Sequence, residues 1–180
     1  MSMIEDGTGT GRKAKVTLDN LLATQAETRS SLETLNEEGN VWSIPMDAVA
    51  PSGATKFLYI LNNGTTPLGV ALIRISSSVA GLFRFLKVTG TAAGGTAVVP
   101  TPTNTASVVP LPGGVQVGAN ITGLTDAGLL ANVYCAVNVV QVIELVARWY
   151  VGPNTAIAVQ APGAATVSGN VIIYSNGAEG

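Results

Sequence analysis

The residue types that most enzymes use for chemistry are scarce in this chain of 180 residues. It contains no histidine, which removes Ser-His-Asp and Cys-His catalysis together with the commonest protein ligand for metal ions. The acidic residues Asp47, Asp126 and Glu144 are widely spaced, and the sequence singles out no pair of them for general acid–base chemistry. We therefore expect no enzymatic activity, no cofactor and no metal site.

The single cysteine, Cys135, lies in the apolar run NVYCAVNVV. A thiol in such surroundings is far more often buried and inert than nucleophilic. The reactive form is the charged thiolate, and apolar surroundings disfavour it. One cysteine also excludes a disulfide bond within the chain.

A glycine-rich segment, Gly7 to Lys13, has the superficial pattern of a phosphate-binding loop. A P-loop requires GxxxxGK followed by Ser or Thr, placed between a strand and a helix. Here Ala14 follows the lysine and no predicted strand precedes the glycines. A flexible loop with a basic tip is the favoured interpretation.

Charge divides the chain into two parts. Only 11% of the residues are charged and the net charge is −2, yet 11 of the 20 charged residues precede Gly39. We therefore predict an extended N-terminal arm over residues 1–39 and a separate domain over residues 40–180. Soluble proteins have about 25% charged residues, so the surface of this domain is expected to contact other protein. The weak net charge predicts no binding to nucleic acid or to a membrane.

The domain reads as about eight short strands separated by turn signals, without a convincing amphipathic helix. Apolar and polar residues alternate in Val70–Ser76 and in Leu82–Thr89, and Thr155–Gln160 is expected to form a hairpin after the turn at Gly152–Pro153. This pattern is typical of an all-β sandwich or barrel. Leu129–Val151 is interrupted by polar and charged residues, so we predict a pair of buried strands there rather than a membrane helix.

Two other segments have specific predictions. Gly90–Gly118 is rich in Pro, Gly and Thr and is predicted to be a long loop with short edge strands near Ala97–Val99 and Ser107–Val109. Within the arm, Ala14–Leu18 alternates and could pair as an edge strand, although the glycines predict that the arm orders only against a neighbour.

Three residues are candidates for a subunit interface. Trp42 and Trp149 are the largest apolar groups in an aromatic-poor chain, and core anchoring is the favoured role, with a subunit interface as the alternative. Arg148 lies four residues after Glu144, too far for direct contact within one strand, so each is expected to pair across strands or across subunits.

The arm resembles the start of a group of virion proteins from tailed bacteriophages. These proteins begin with an I-x-D-G-[TS]-G block, followed by K-A-[KR]-V and then N-x-L-x-T. The matching residues are Ile4, Asp6, Gly7, Gly9, Lys13, Ala14, Lys15, Val16, Asn20, Leu22 and Thr24. The C-terminal half is similar more loosely, through Gly152–Pro153, Ala156–Gln160 and Val171–Tyr174.

The resemblance implies a jelly-roll β-sandwich that assembles, usually as a trimer, on a phage particle. The leading hypothesis is a structural protein that decorates or cements the capsid by binding its outer surface and other copies of itself. Its partners would be the major capsid protein or other virion proteins, after assembly in the host cytoplasm. Lys13, Lys15, Val16 and Leu18 are the predicted anchoring residues of the arm.

An alternative on the same fold is a fibre, neck or tail protein that recognises a host receptor or another ligand. The position on the particle, the number of subunits and the role of residues 90–118 stay open at the level of the sequence.

Overall fold

The computed structural model of the protein describes residues 3–5, 13–16, 22–23 and 31–175, with side chains for 32–145 and 149–175. By its contacts the chain forms two compact units, residues 1–30 and residues 31–180. Composition placed the division near Gly39. Residues 31–37 belong to the larger unit because they form a helix, α1 (Ser31–Glu37), whose Leu32 and Leu35 pack against buried residues of that unit.

The N-terminal unit contains three short strands: β1 (Met3–Glu5), β2 (Lys13–Val16) and β3 (Leu22–Ala23). They form one antiparallel sheet in which β2 lies between β1 and β3. The predicted edge strand is therefore a central strand of this small sheet. The backbone groups of these strands find partners within the unit. That the arm orders only against a neighbour stays a prediction.

The larger unit is built almost entirely from strands. In chain order they are β4 (Val41–Val49), β5 (Ser52–Gly53), β6 (Lys56–Asn62), β7 (Leu68–Ser77), β8 (Gly81–Ala93), β9 (Thr96–Ala97), β10 (Thr101–Pro102), β11 (Gly113–Cys135), β12 (Gln141–Val151), β13 (Ala156–Gln160), β14 (Gly163–Ala164) and β15 (Val167–Ser175).

The eight long strands have the connectivity of a jelly roll. One sheet has the order β10-β4-β15-β7-β12 and the other has the order β6-β13-β8-β11-β9, with antiparallel neighbours throughout. Without the short strands β9 and β10, one sheet has the order β4-β15-β7-β12 and the other has the order β6-β13-β8-β11. Counted along the chain among the eight long strands, these are strands 1-8-3-6 and strands 2-7-4-5. This is the two-sheet arrangement of a jelly roll, and the predicted all-β sandwich is confirmed.

The main core lies between the two sheets. In β8, Phe83 and Phe85 are buried while Leu82 and Arg84 on the opposite face are exposed, as the alternation predicts. The ring of Phe83 meets that of Phe57 edge-to-face, with centroids 5.9 Å apart.

A second, smaller core lies on the other face of the β6 sheet. The pairings run from β6 to β13, β8 and β11 and then back from β11 to β6, so these four strands close on themselves. This closure buries Tyr59, Leu86, Ile121 and Ala158. The 23 residues of β11 make it possible, because its first part pairs with β6 and its second part with β8.

Three local predictions were wrong. Thr155–Gln160 is not a hairpin partner of the preceding strand: β13 pairs with β6 and β8, because successive strands cross between the sheets of a jelly roll here. No strand forms at Ser107–Val109. Leu129–Val151 does form strands, but their outer faces are exposed, with Leu129 and Val142 each more than half accessible.

Candidate functional site

The acidic residues considered for catalysis do not form a site. Asp47 and Glu144 are exposed on β4 and β12. Among the long strands of their sheet, β4 and β12 are the outermost two, at opposite ends. Asp126 lies on β11, where its Oδ1 forms an ion pair with Lys56 Nζ at 2.8 Å. Among the residues that the structure describes, no group of three or more Cys, Asp or Glu residues is arranged to hold a metal ion.

Cys135 lies at the end of β11 with no exposed surface. Burial raises the pKa of its thiol above the ordinary value of 9.0, because the charged thiolate is poorly solvated there. The thiol is therefore held in its unreactive form and serves as an apolar core group.

The predicted anchoring residues belong to the N-terminal unit. Lys13, Lys15 and Val16 lie on β2, where Lys15 is paired with Met3 on one side and Ala23 on the other. The two lysines are two positions apart, which is the spacing of residues on one face of a strand. Leu18 lies outside the described residues.

Of the three predicted interface residues, Trp42 is placed in the core. It is 1% exposed, and its indole Nε1 donates a hydrogen bond to the carbonyl oxygen of Val109 at 2.8 Å. Trp149 is partly buried against the main core and lies 5.3 Å from the ring of Phe85, at an interplanar angle of 54°. Arg148 lies on β12, and its side chain is outside the described part of the structure.

The proline-rich segment is bound along the start of the domain, a feature the sequence analysis missed. Backbone Thr103 N–H donates to Val41 O at 2.9 Å, Asn104 Nδ2 donates to Glu37 O at 3.1 Å, and Ser107 Oγ donates to Gly39 O at 3.3 Å. These bonds satisfy the carbonyl groups of the last residue of α1 and of two residues that follow it. Asn, Ser and Thr between prolines are the signal for such side-chain-to-backbone bonds.

An open groove lies on the outer face of the β6 sheet. Its volume is about 590 Å³, and Tyr134, Leu82, Arg84, Gln160 and Pro162 are among the residues that line it. Tyr134 is 59% exposed, and Arg84 Nη1 donates a hydrogen bond to Gln160 Oε1 at 3.1 Å. The sequence analysis did not single out Tyr134, although its outward position follows from the alternation of β11.

Fold and surfaces together define an all-β jelly-roll domain preceded by a separate strand-forming unit. Comparison with protein-family models, with curated proteins and with solved structures gave no match to this chain. Within the described residues, the structure has no helix that is long and apolar enough to cross a membrane.

Proposed function

We propose that this chain is a structural virion protein of a tailed bacteriophage, which binds the outer surface of the capsid and other copies of itself. The observation that carries the proposal is the division of the chain into a jelly-roll domain and a separate N-terminal unit with its own sheet. The resemblance of Ile4–Ser30 to phage virion proteins supports the same role, and jelly rolls are a recurrent architecture of viral shells.

The N-terminal unit provides the attachment in this proposal. Its small sheet ends in β1 on one side and β3 on the other, and neither has a further partner among the described strands. A strand of the capsid protein could therefore extend the sheet through main-chain hydrogen bonds. Lys13 and Lys15 on β2 would add contacts with acidic groups of the capsid.

The jelly-roll domain provides the contacts between copies. Only 12 of residues 31–180 are charged, so neighbouring copies can approach with little desolvation of charged groups. On a symmetric capsid, weak contacts repeated at many copies add up through a high effective concentration, and no single contact has to be strong.

Imaging of the phage particle tests this proposal. Particles assembled without the protein are expected to lack an outer density, which returns when the purified full chain is added. Particles with the same surface in both preparations would contradict the proposal.

A second function, recognition of a glycan, is favoured by one specific observation. The groove on the outer face of the β6 sheet combines an exposed aromatic ring, Tyr134, with the polar groups of Arg84 and Gln160. Sugar rings stack on exposed aromatics, and their hydroxyl groups bind such side chains.

A glycan array would separate the two functions. Selective binding that is lost in Tyr134→Ala and kept in Tyr150→Ala would favour recognition, since Tyr150 is also about half exposed but lies outside the groove. If the protein binds no glycan on the array, only the structural role is retained.

A further inference from the structure

Five exposed valines cluster where β7 turns into β8 and β11 turns into β12. We name this cluster the valine rim: Val79, Val137, Val139, Val140 and Val142, which are between 40% and 59% exposed. The pair Leu82 and Tyr134 flanks the rim, on directly opposed positions of β8 and β11. Both flanking side chains are more than half exposed.

The two turns of the rim are fixed to each other by Ser77, a buried polar residue that is 2% exposed. Its carbonyl oxygen accepts a hydrogen bond from Asn138 N–H at 2.7 Å, and Ser77 also forms a parallel bridge with Val137. Its hydroxyl donates to Val79 O at 2.8 Å and accepts from Val79 N–H at 3.1 Å. The rim is therefore preorganised, which lowers the entropy lost when a partner binds.

Ionised side chains border the rim without belonging to it. Residues 75–83 and 127–143 contain no Asp, Glu, Lys or Arg, but the exposed Arg74 lies directly opposite Val142, and the exposed Glu144 follows on β12. An occupant must therefore cover apolar surface at the centre and offer opposite charge to Arg74 and Glu144 at the border.

The size of the cluster fits a protein partner. The seven half-exposed side chains of the rim and its flank present roughly 400 Å² of apolar surface, within the range of the largest and often functional patch on a monomer. A standard interface uses about 800 Å² per partner, of which a little over half is apolar. The rim supplies most of that apolar part.

A free strand edge borders the same surface. β12 ends its sheet, and its outer edge has no strand partner among residues 31–175. It is 11 residues long and contains no Pro, and its charged residues are Glu144 and Arg148.

We infer that the valine rim is the surface through which a second copy of this chain docks. A second copy brings the same apolar rim, the same unpaired edge and both signs of charge at the border, Arg74 and Glu144, so two rims can cover each other while their border charges pair. The inference rests on the self-association in the proposed function and locates it at named residues.

Sedimentation velocity of the purified full chain tests the inference through one variant and one matched control. Val140→Asp places a carboxylate in each rim and is expected to raise the dissociation constant for self-association at least a hundredfold. Val108→Asp introduces the same charge at a valine that is 93% exposed and outside the rim, and it is expected to behave as wild type. Far-UV circular dichroism checks folding, and Val140→Ser replaces Val140→Asp if the latter fails to fold.

A wild-type chain that stays monomeric at micromolar to millimolar concentration would overturn the inference, and so would equal effects of the two Asp variants. Binding to phage particles is measured separately. A monomeric chain that still decorates particles contradicts only the valine rim, while a self-associating chain that ignores particles contradicts only the proposed function.

Discussion

The N-terminal unit and the jelly-roll domain differ in how their strands are stabilised. In the domain, most long strands pair on both sides and bury one face against the opposite sheet. In the N-terminal unit, the described strands have two to four residues and form one three-stranded sheet. Sheets of this size are marginal without a surface to pack on. The domain has its own core, and we propose that the N-terminal unit gains stability when it binds its partner.

Charge follows the same division. Eight of the first 30 residues are charged, against 12 of the remaining 150. Charged groups give orientation and partner choice at a contact, while apolar surface gives most of the free energy of burial. We therefore assign selective attachment to the N-terminal unit and self-association to the domain, and the following predictions test that assignment.

The largest expected effect concerns the core of the domain. Trp42→Ala removes a fully buried ring and its hydrogen bond to Val109, and it should lower the free energy of unfolding by about 3–5 kcal/mol. Denaturant unfolding measures this loss. Val99→Ala, at a valine that is 87% exposed, is the control and should change stability little. If Trp42→Ala left stability unchanged and disrupted only self-association, Trp42 would be an interface residue after all.

A smaller effect is expected from the lysines of β2. Replacing both Lys13 and Lys15 by Glu should weaken binding to particles roughly tenfold or more, because like charges then face the acidic groups of the capsid. The unfolding of the domain should not change. Lys87→Glu, at an exposed lysine of β8, is the matched control, and a similar loss of binding in that variant would show that attachment is not specific to the N-terminal unit.

The smallest effect concerns alkaline pH. Burial raises the pKa of Cys135, so the folded protein keeps the thiol neutral where the unfolded chain ionises. The resulting stability is complete below the ordinary pKa of 9.0 and is lost as the pH rises towards the folded value. We expect the unfolding free energy of Cys135→Ala to fall less than that of wild type between pH 8 and pH 10. If the unfolding free energies of the two proteins changed equally with pH, the result would contradict a buried thiol.

Much of the fold could be predicted from local patterns. Alternation in β8 correctly separated Phe83 and Phe85 from Leu82 and Arg84, because the side-chain period of a strand is two. In β7 the alternation is broken by a register shift against β15, so Val70 lies in the main core together with Ile73 and Ile75. The sequence has no convincing amphipathic helix and has frequent turn signals, and these two features correctly predicted the all-β class. Arg74, Arg84 and Lys87, which interrupt these apolar strands with charge, are all exposed.

The features that the sequence did not reveal depend on long-range pairing. The closure of β11 onto β6 joins residues more than 50 positions apart, and no local signal marks the place where β11 changes partner. The bonds from Thr103, Asn104 and Ser107 to the residues after α1 are equally distant in sequence. The valine rim also needed the fold, since Val79 and Val137 come together only through Ser77.

The most direct test of the account is the occupancy of phage particles by a chain that lacks residues 1–24. The described domain begins at Ser31 and keeps its whole core in this variant, so we expect a folded protein with the unfolding free energy and self-association of wild type. Quantitative imaging after addition to particles that lack the protein should show no bound copies. Occupancy equal to that of the full chain would contradict attachment through the N-terminal unit.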